Sequence, residues 1–177
     1  MPDVTISPLS SSDDTIAALA RLLIATVAAG GSVSFMHPLS EADATGFWTR
    51  WLAAADRGEL IVLGGFHGDA LIGTVTLLLN CPPNQPHRGE IAKMMTLPAC
   101  RGQGIARALL VEAERLAVAH GRTLLVLDTA TDGGAAGLYE KQGFVFAGEI
   151  PNYAYKPHSG LTGTLLYWKA IGAANVG

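Results

Sequence analysis

Leu97-Pro98-Ala99-Cys100-Arg101-Gly102-Gln103-Gly104-Ile105-Ala106-Arg107-Ala108-Leu109-Leu110 reads as the end of a strand, a glycine-punctuated turn and the start of an amphipathic helix. In such a turn the first free backbone N–H groups of the helix converge on one spot, and the helix dipole makes that spot attractive to anions. Gly102 and Gly104 carry no Cβ, so an anionic group can approach the main chain. Arg101 and Arg107 add cationic side chains on either side. An ordinary glycine-rich strand-to-helix turn has the same local form, and segments farther along the chain decide between the two.

Spacing excludes two other phosphate loops. The chain has no GxxxxGK[ST] run, and Gly102-Gln103-Gly104 is followed by Ile105-Ala106-Arg107 rather than by the third glycine of GxGxxG. The 177 residues suit one domain, 1–177, long enough to bury a sizeable core. A hydrophobic share of 49% against 15% charged, with a mean hydropathy of +0.31, predicts a well-packed globular protein and leaves room for a homodimer. The net charge of −3 gives no basic footprint for nucleic acid or an anionic membrane. Met1-Pro2-Asp3-Val4 is not a basic region followed by an apolar run, so no secretory signal is expected. The longest apolar runs, such as Leu60 to Phe66, are too short to span a bilayer. Cys81 and Cys100 have no metal or redox spacing and read as reduced thiols of a cytoplasmic protein. His37, His67, His87, His120 and His158 are scattered, so no metal site is expected.

Periodicity then divides the chain. Val4 to Pro8 reads as an opening strand. Asp13 or Asp14 would cap a helix carrying Ile16, Leu19, Ala20, Leu22, Leu23 and Val27 inward, stopped at Gly30-Gly31. Ser40 would start a second helix carrying Phe47, Trp48, Trp51 and Leu52; the two tryptophans suit a core, or one of them a pocket wall. Leu60 to Phe66 and Ala70 to Leu79 form a hairpin around His67-Gly68-Asp69. Arg88 to Leu97 is the next strand, with Glu90, Ala92, Met94 and Thr96 on one face and Ile91, Lys93, Met95 and Leu97 on the other. Gln103 to His120 is the strongest helix. Thr123 to Asp128 reads as a buried parallel strand, Ala135 to Gln142 as a short helix and Phe144 to Ile150 as a strand. A loop through Asn152 and Gly163 leads to a last strand at Thr164 to Ala170. The whole predicts an α/β protein with a mixed central sheet flanked by helices.

Two segments carry a family resemblance. Arg101, Gly104 and Ala106 fill the fixed positions of an Arg/Gln-x-x-Gly-x-Gly/Ala signature, and Leu138-Tyr139-Glu140-Lys141-Gln142-Gly143-Phe144 matches an L-Y-x-x-x-G-F segment about thirty residues later. Both resemble the GNAT N-acetyltransferases, and the order of elements is theirs. Within that family the chain looks most like the tabtoxin-resistance acetyltransferases. The residues carrying that likeness are 31–36, the Glu90 strand, Leu127-Asp128-Thr129, Gly148-Glu149-Ile150-Pro151-Asn152-Tyr153 and Tyr167-Trp168-Lys169. The wider family often has an Asn ahead of the Leu-Tyr helix, where this chain reads Thr131-Asp132-Gly133-Gly134; no Asn contact carries over, and Asp132 is a weak substitute.

The resemblance implies a GNAT fold and transfer of acetyl from acetyl-CoA to an amine. Met94, Met95 and Thr96 would hold the pantetheine arm by main-chain bonds, as an added strand, and Arg101, Gly102, Gln103, Gly104, Ile105, Ala106 and Arg107 the pyrophosphate. Such transfer needs a positioned amine, a route for its proton and an acid for the leaving thiolate. Cys100 has no His partner at a useful spacing, so direct transfer is expected rather than a covalent enzyme intermediate. Tyr139 is the candidate acid, a phenol with a reference pKa of about 10; packing at a helix–strand junction would also suit it. Glu90 and Asp128 are candidates for the base or the ammonium anchor, and a strand end and a turn cap are their plainer readings. Ser34, Phe35 and Tyr153, with Glu90 and Asp128, are the expected acceptor contacts. A small amino-acid-like or toxin-like amine is the expected acceptor, with resistance as one role. A protein N-terminus or lysine, or a non-catalytic acyl-CoA-binding module, are the alternatives.

Overall fold

The computed structural model describes residues 4–172. The chain runs β1 (Val4–Pro8), α1 (Asp13–Ala28), α2 (Glu41–Asp56), β2 (Leu60–His67), β3 (Ala70–Leu78), β4 (Arg88–Thr96), a single 3₁₀ turn (Pro98–Cys100), α3 (Ile105–Ala119), β5 (Leu124–Ala130), α4 (Ala136–Lys141), β6 (Val145–Tyr155) and β7 (Leu161–Ala170). The strands form one seven-stranded sheet in the order β1-β2-β3-β4-β5-β7-β6. Every pairing is antiparallel except β4 with β5. This is the mixed α/β architecture expected.

Each face of the sheet buries its own core. On one face Leu63, Val75, Leu77 and Ile91 pack with Ile105, Leu109, Leu110 and Ala113 of α3, and with Tyr139 and Phe144. On the other, Leu60, Val62 and Met95 pack with Leu19, Leu22, Leu23 and Val27 of α1 and Ala44, Trp48 and Leu52 of α2. Helix α3 lies close because β3 offers it a glycine: a Cβ on Gly73 would sit 2.9 Å from Ile105 Cγ2. Trp48 and Trp51 both belong to the α1/α2 core, where Trp51 Nε1 donates to Thr76 Oγ1 (3.0 Å), and neither lines the two cavities beside β4 and β5.

Several boundaries differ from the sequence reading. Helix α1 is capped by Ser12, whose hydroxyl accepts from Thr15 N (3.1 Å); Asp13 and Asp14 occupy the first turn, where their charge meets the positive end of the dipole. Helix α3 begins at Ile105 rather than Gln103. Strand β5 is parallel to β4 over three residues only, and antiparallel to β7 along its full length. The expected loop from Ile150 to Thr164 is largely strand: β6 runs on to Tyr155 and β7 starts at Leu161. Pro151 and Asn152 signal a turn, but β6 is an edge strand with one side unpaired. A register irregularity between Ile150 and Ala154, with Asn152 at φ +54°, absorbs them.

Strand β4 departs furthest from simple alternation. A bulge interrupts its pairing with β3, where Thr74 faces Met95 but Thr76 faces Ala92, so β4 carries an extra residue. Lys93 takes φ +52° there. The extra residue inverts the alternation: Ile91 lies in the α3 core and Met95 in the α1/α2 core, although an unbroken strand would put both on one face.

Candidate active site

Strand β4 pairs with β5 only from Arg88 to Glu90. Beyond Glu90 the two strands part, and residues 91–96 have no partner on the β5 side. A strand edge in the middle of a sheet leaves N–H and C=O groups free to bond a ligand. Two cavities open at this split. The longer, about 870 Å³, runs between Met94–Thr96 of β4 and Thr129–Ala130 of β5, and on to the start of α3. The smaller, about 190 Å³, holds Asp128, Lys93, Ser34 and Tyr153. Ser32, Val33, Met94, Thr129, Ala130 and Tyr139 line both.

The head of the long cavity is built from main chain. Gly102 and Gly104 adopt φ +77° and +81°, a left-handed conformation that turns successive N–H groups toward one side. Gly104 is the N-cap of α3 and supplies no side-chain acceptor. The N–H groups of residues 102–107 donate to no protein acceptor among the described residues. Six free donors at a helix N-terminus form an anion cradle. Arg101, Arg107 and Lys141 line the same cavity without an ion-pair partner among the described residues.

Tyr139 closes the angle where the cavities meet. It projects from α4 with only 4% of its surface exposed, and its ring stands 5.9 Å from that of Phe144 and 6.2 Å from that of Tyr167. Burial, aided by the negative charge of Asp128, pushes its pKa up to about 12, so the phenol holds its proton throughout the neutral range. Asp128 lies on β5 with one carboxylate oxygen accepting from Thr164 Oγ1 (2.8 Å). Asp132, at the rim of the long cavity, pairs with Lys156 and accepts from Thr162 Oγ1 (2.8 Å). The hydrogen bond from Lys156 holds its carboxyl below the usual carboxylate range.

A family model described as the acetyltransferase (GNAT) family matches residues 31–144, which take in the loop, the split strands and Tyr139. The chain belongs to the GNAT acetyltransferase family. Solved structures repeat its fold. An N-acetyltransferase of Staphylococcus aureus Mu50 superposes with a TM-score of 0.81 at 19% identity, covering 96% of this chain and 99% of that one. The ribosomal-protein-alanine N-acetyltransferase of Brucella melitensis gives 0.80 at 19% identity, over 94% and 99%. The yncA protein of Salmonella typhimurium, solved with its cofactor acetyl-CoA, gives 0.76 at 15% identity, over 98% and 96%.

As a GNAT acetyltransferase the protein acts with acetyl-CoA, and its residues fit that molecule. The free N–H groups of residues 102–107 suit a pyrophosphate, the unpaired edge at 91–96 suits an arm bearing amides, and the long cavity joins the two. Of the residues expected there, Met94, Met95, Thr96, Arg101, Gly102, Gly104, Ile105, Ala106 and Arg107 line the long cavity and Gln103 does not. Of those expected at the acceptor, Ser34, Asp128 and Tyr153 line the smaller cavity.

Phe35 and Glu90 line neither. Phe35 packs edge-on against Phe47, ring centroids 5.1 Å apart. Glu90 shares a sheet face with Asp128, since Val126 lies opposite Glu90 and Asp128 is two residues on. One of its carboxylate oxygens accepts from Arg88 Nη1 (3.1 Å), and Asp128 alone of the two lines the smaller cavity. Lys93 and Thr164, which the sequence reading passed over, line the smaller cavity, and Lys141 and Lys156 the longer one. Neither spacing nor periodicity marks any of the four. Among the described residues no group of His, Cys, Asp and Glu could hold a metal ion, and no helix is long and apolar enough to cross a membrane.

Proposed function

We propose that the protein moves an acetyl group from acetyl-CoA directly to the primary amine of a small molecule in the smaller cavity. The observation that carries this is Tyr139, a protonated phenol on the wall common to both cavities and electrostatically coupled to Asp128. Bound acetyl-CoA supplies the thioester acyl group. The residues around it divide the remaining work. The 102–107 loop holds the pyrophosphate, and Met94–Thr96 bond the pantetheine amides. Asp128 anchors the acceptor's ammonium, and a water beside it takes the proton that the nitrogen must lose before it attacks. Tyr139 gives its proton to the departing thiolate, which the long cavity brings within its reach.

A small acceptor suits the modest volume of the inner cavity, about 190 Å³, below the roughly 300–1,000 Å³ of sites for drug-sized ligands. An amino-acid-like or toxin-like acceptor draws support from the segments that resemble tabtoxin-resistance acetyltransferases. Their Ser32, Val33, Ser34, Asp128, Thr129 and Tyr153 all line that cavity. The free thiols Cys81 and Cys100 support a cytoplasmic setting. The test is a thioester-consumption screen over small amines, tabtoxinine-β-lactam included, beside peptides with free N-termini and lysine side chains. Turnover of small amines alone is expected. Preference for peptides would move the acceptor outside the cavity, and tight acetyl-CoA binding without turnover of any amine would make the protein an acyl-CoA-binding module.

A further inference from the structure

Lys93 is the unexplained charge of the smaller cavity. It sits at the β4 bulge with φ +52°, and Ser34, its hydrogen-bond partner, has φ +75°. Residues with a side chain rarely take this conformation, and where they do the site is commonly a functional one. The Lys93 ammonium donates to Val33 O (3.1 Å) and Ser34 Oγ (2.9 Å). That leaves one of its three N–H groups uncommitted. The rings of Phe35 and Phe47 lie 5.9 and 5.8 Å from the nitrogen and shield it from water on their side. No carboxylate of the described residues is within ion-pairing distance of it.

Asp128 faces the same cavity. One of its oxygens accepts from Thr164, and the other has no protein partner among the described residues. The two charges influence each other, since burial lowers the Lys93 pKa and Asp128 opposes that shift. They are nevertheless too far apart to pair. In contact, each would neutralise the other; held apart, both present their charge to whatever lies between them.

We propose that the acceptor is a zwitterion, an amine carrying a carboxylate a few bonds away, whose ammonium meets Asp128 and whose carboxylate meets Lys93. This rests on the acetyl-transfer reading above and narrows its acceptor to free amino acids and close analogues. A peptide N-terminus has an amide where Lys93 needs an anion. Acetylation turns the ammonium into a neutral amide and leaves the carboxylate in place. The product keeps its contact with Lys93 and loses the one with Asp128, which favours its release.

The experiment compares free amino acids with their carboxamides, matched side chain for side chain, as acceptors for the wild-type protein and for Lys93→Met. The wild type is expected to favour the acid over the amide at least tenfold in kcat/KM, by the strength of a hydrogen bond between charged groups. In Lys93→Met that ratio should fall to within about twofold of unity. An amide turned over as well as its acid by the wild type would overturn the proposal. So would an unchanged ratio in a variant whose circular dichroism shows it folded, because Lys93 would then only pin the Ser34 segment. If the wild type acetylates neither partner, the acetyl-transfer reading fails first. Calorimetry of the same pairs on the CoA-bound protein then decides this proposal, which stands only if the acid binds more tightly than the amide.

Discussion

The two cavities that meet at Tyr139 are made in different ways. The head of the long one is contiguous main chain, six residues whose N–H groups are left free by a left-handed turn and a helix start. The smaller one is made of side chains from six separate places: Ser34 before α2, Lys93 in β4, Asp128 in β5, Tyr139 in α4, Tyr153 in β6 and Thr164 in β7. A backbone site must be encoded where it stands, because only glycine takes those dihedral angles freely. A side-chain site can be encoded anywhere that the fold brings together. The first therefore leaves a local pattern in the sequence, and the second leaves none.

The largest effect is expected where the cavities join. Tyr139→Phe keeps the ring and removes the acid, so kcat should fall by about 10²–10⁴ with acetyl-CoA affinity little changed. A near wild-type kcat, with chemistry shown to limit the rate, would separate the two cavities functionally.

The same hydroxyl should be visible in stability. Its pKa is raised from 10.0 to about 12 by folding. Below pH 10 both states keep the proton. Above it the unfolded phenol ionises and the folded one does not, so stability falls as pH rises toward about 12. The loss should amount to roughly 2–3 kcal/mol at about 1.4 kcal/mol per pKa unit. It is measured as the difference between wild type and Tyr139→Phe in denaturant midpoints across that window. Identical slopes would mean the phenol is not held in its buried setting in solution.

Within the side-chain cavity, Asp128→Asn should raise KM for the amine about 10–100-fold, the worth of a charged hydrogen bond of roughly 1.5–3 kcal/mol, and leave kcat nearly intact. A drop in kcat with a flattened acidic limb of the pH–rate profile would instead make Asp128 the base.

In the main-chain cavity, Gly104→Val forces a branched residue to φ +81°. A left-handed residue costs roughly 1–2 kcal/mol; the empty loop relieves that cost by leaving the left-handed conformation and CoA must restore it, so CoA should bind about 5–30-fold more weakly, by calorimetry, with the circular dichroism retained. Unchanged affinity would remove the loop from the binding site. Least is expected of Glu90→Gln. That side chain is half-buried and paired with Arg88 beyond both cavities, and a pair of this kind is worth about 1 kcal/mol or less. A kcat change above about fivefold, the equivalent of that energy, would show that Glu90 reaches the acceptor after all and restore the two-carboxylate reading.

Particular elements show where the sequence was readable. Helical spacing puts Leu109, Leu110, Ala113, Leu116 and Ala117 on one face of α3, and all are buried except Leu116, which is half-buried. The hairpin at Gly68 and the cap at Ser40 followed from local turn and cap chemistry. Alternation within β4 cannot show its bulge, because a bulge is an agreement between two strands. Pro151 and Asn152 do not end β6, because turn residues are tolerated at a sheet edge, and edge position belongs to the whole sheet.

By itself the sequence determined the order of elements, the family and the place of the free N–H groups. Each follows from interactions between residues near one another in the chain: helical and strand periodicity, and glycine at a helix start. Tertiary structure alone decided that β4 and β5 part after Glu90, that Tyr139 stands on the wall of both cavities, and that Lys93 faces Asp128's cavity while Glu90 turns to Arg88. Those outcomes depend on which distant strands become neighbours and on one extra residue that inverts a face. Neither is a property of any segment on its own.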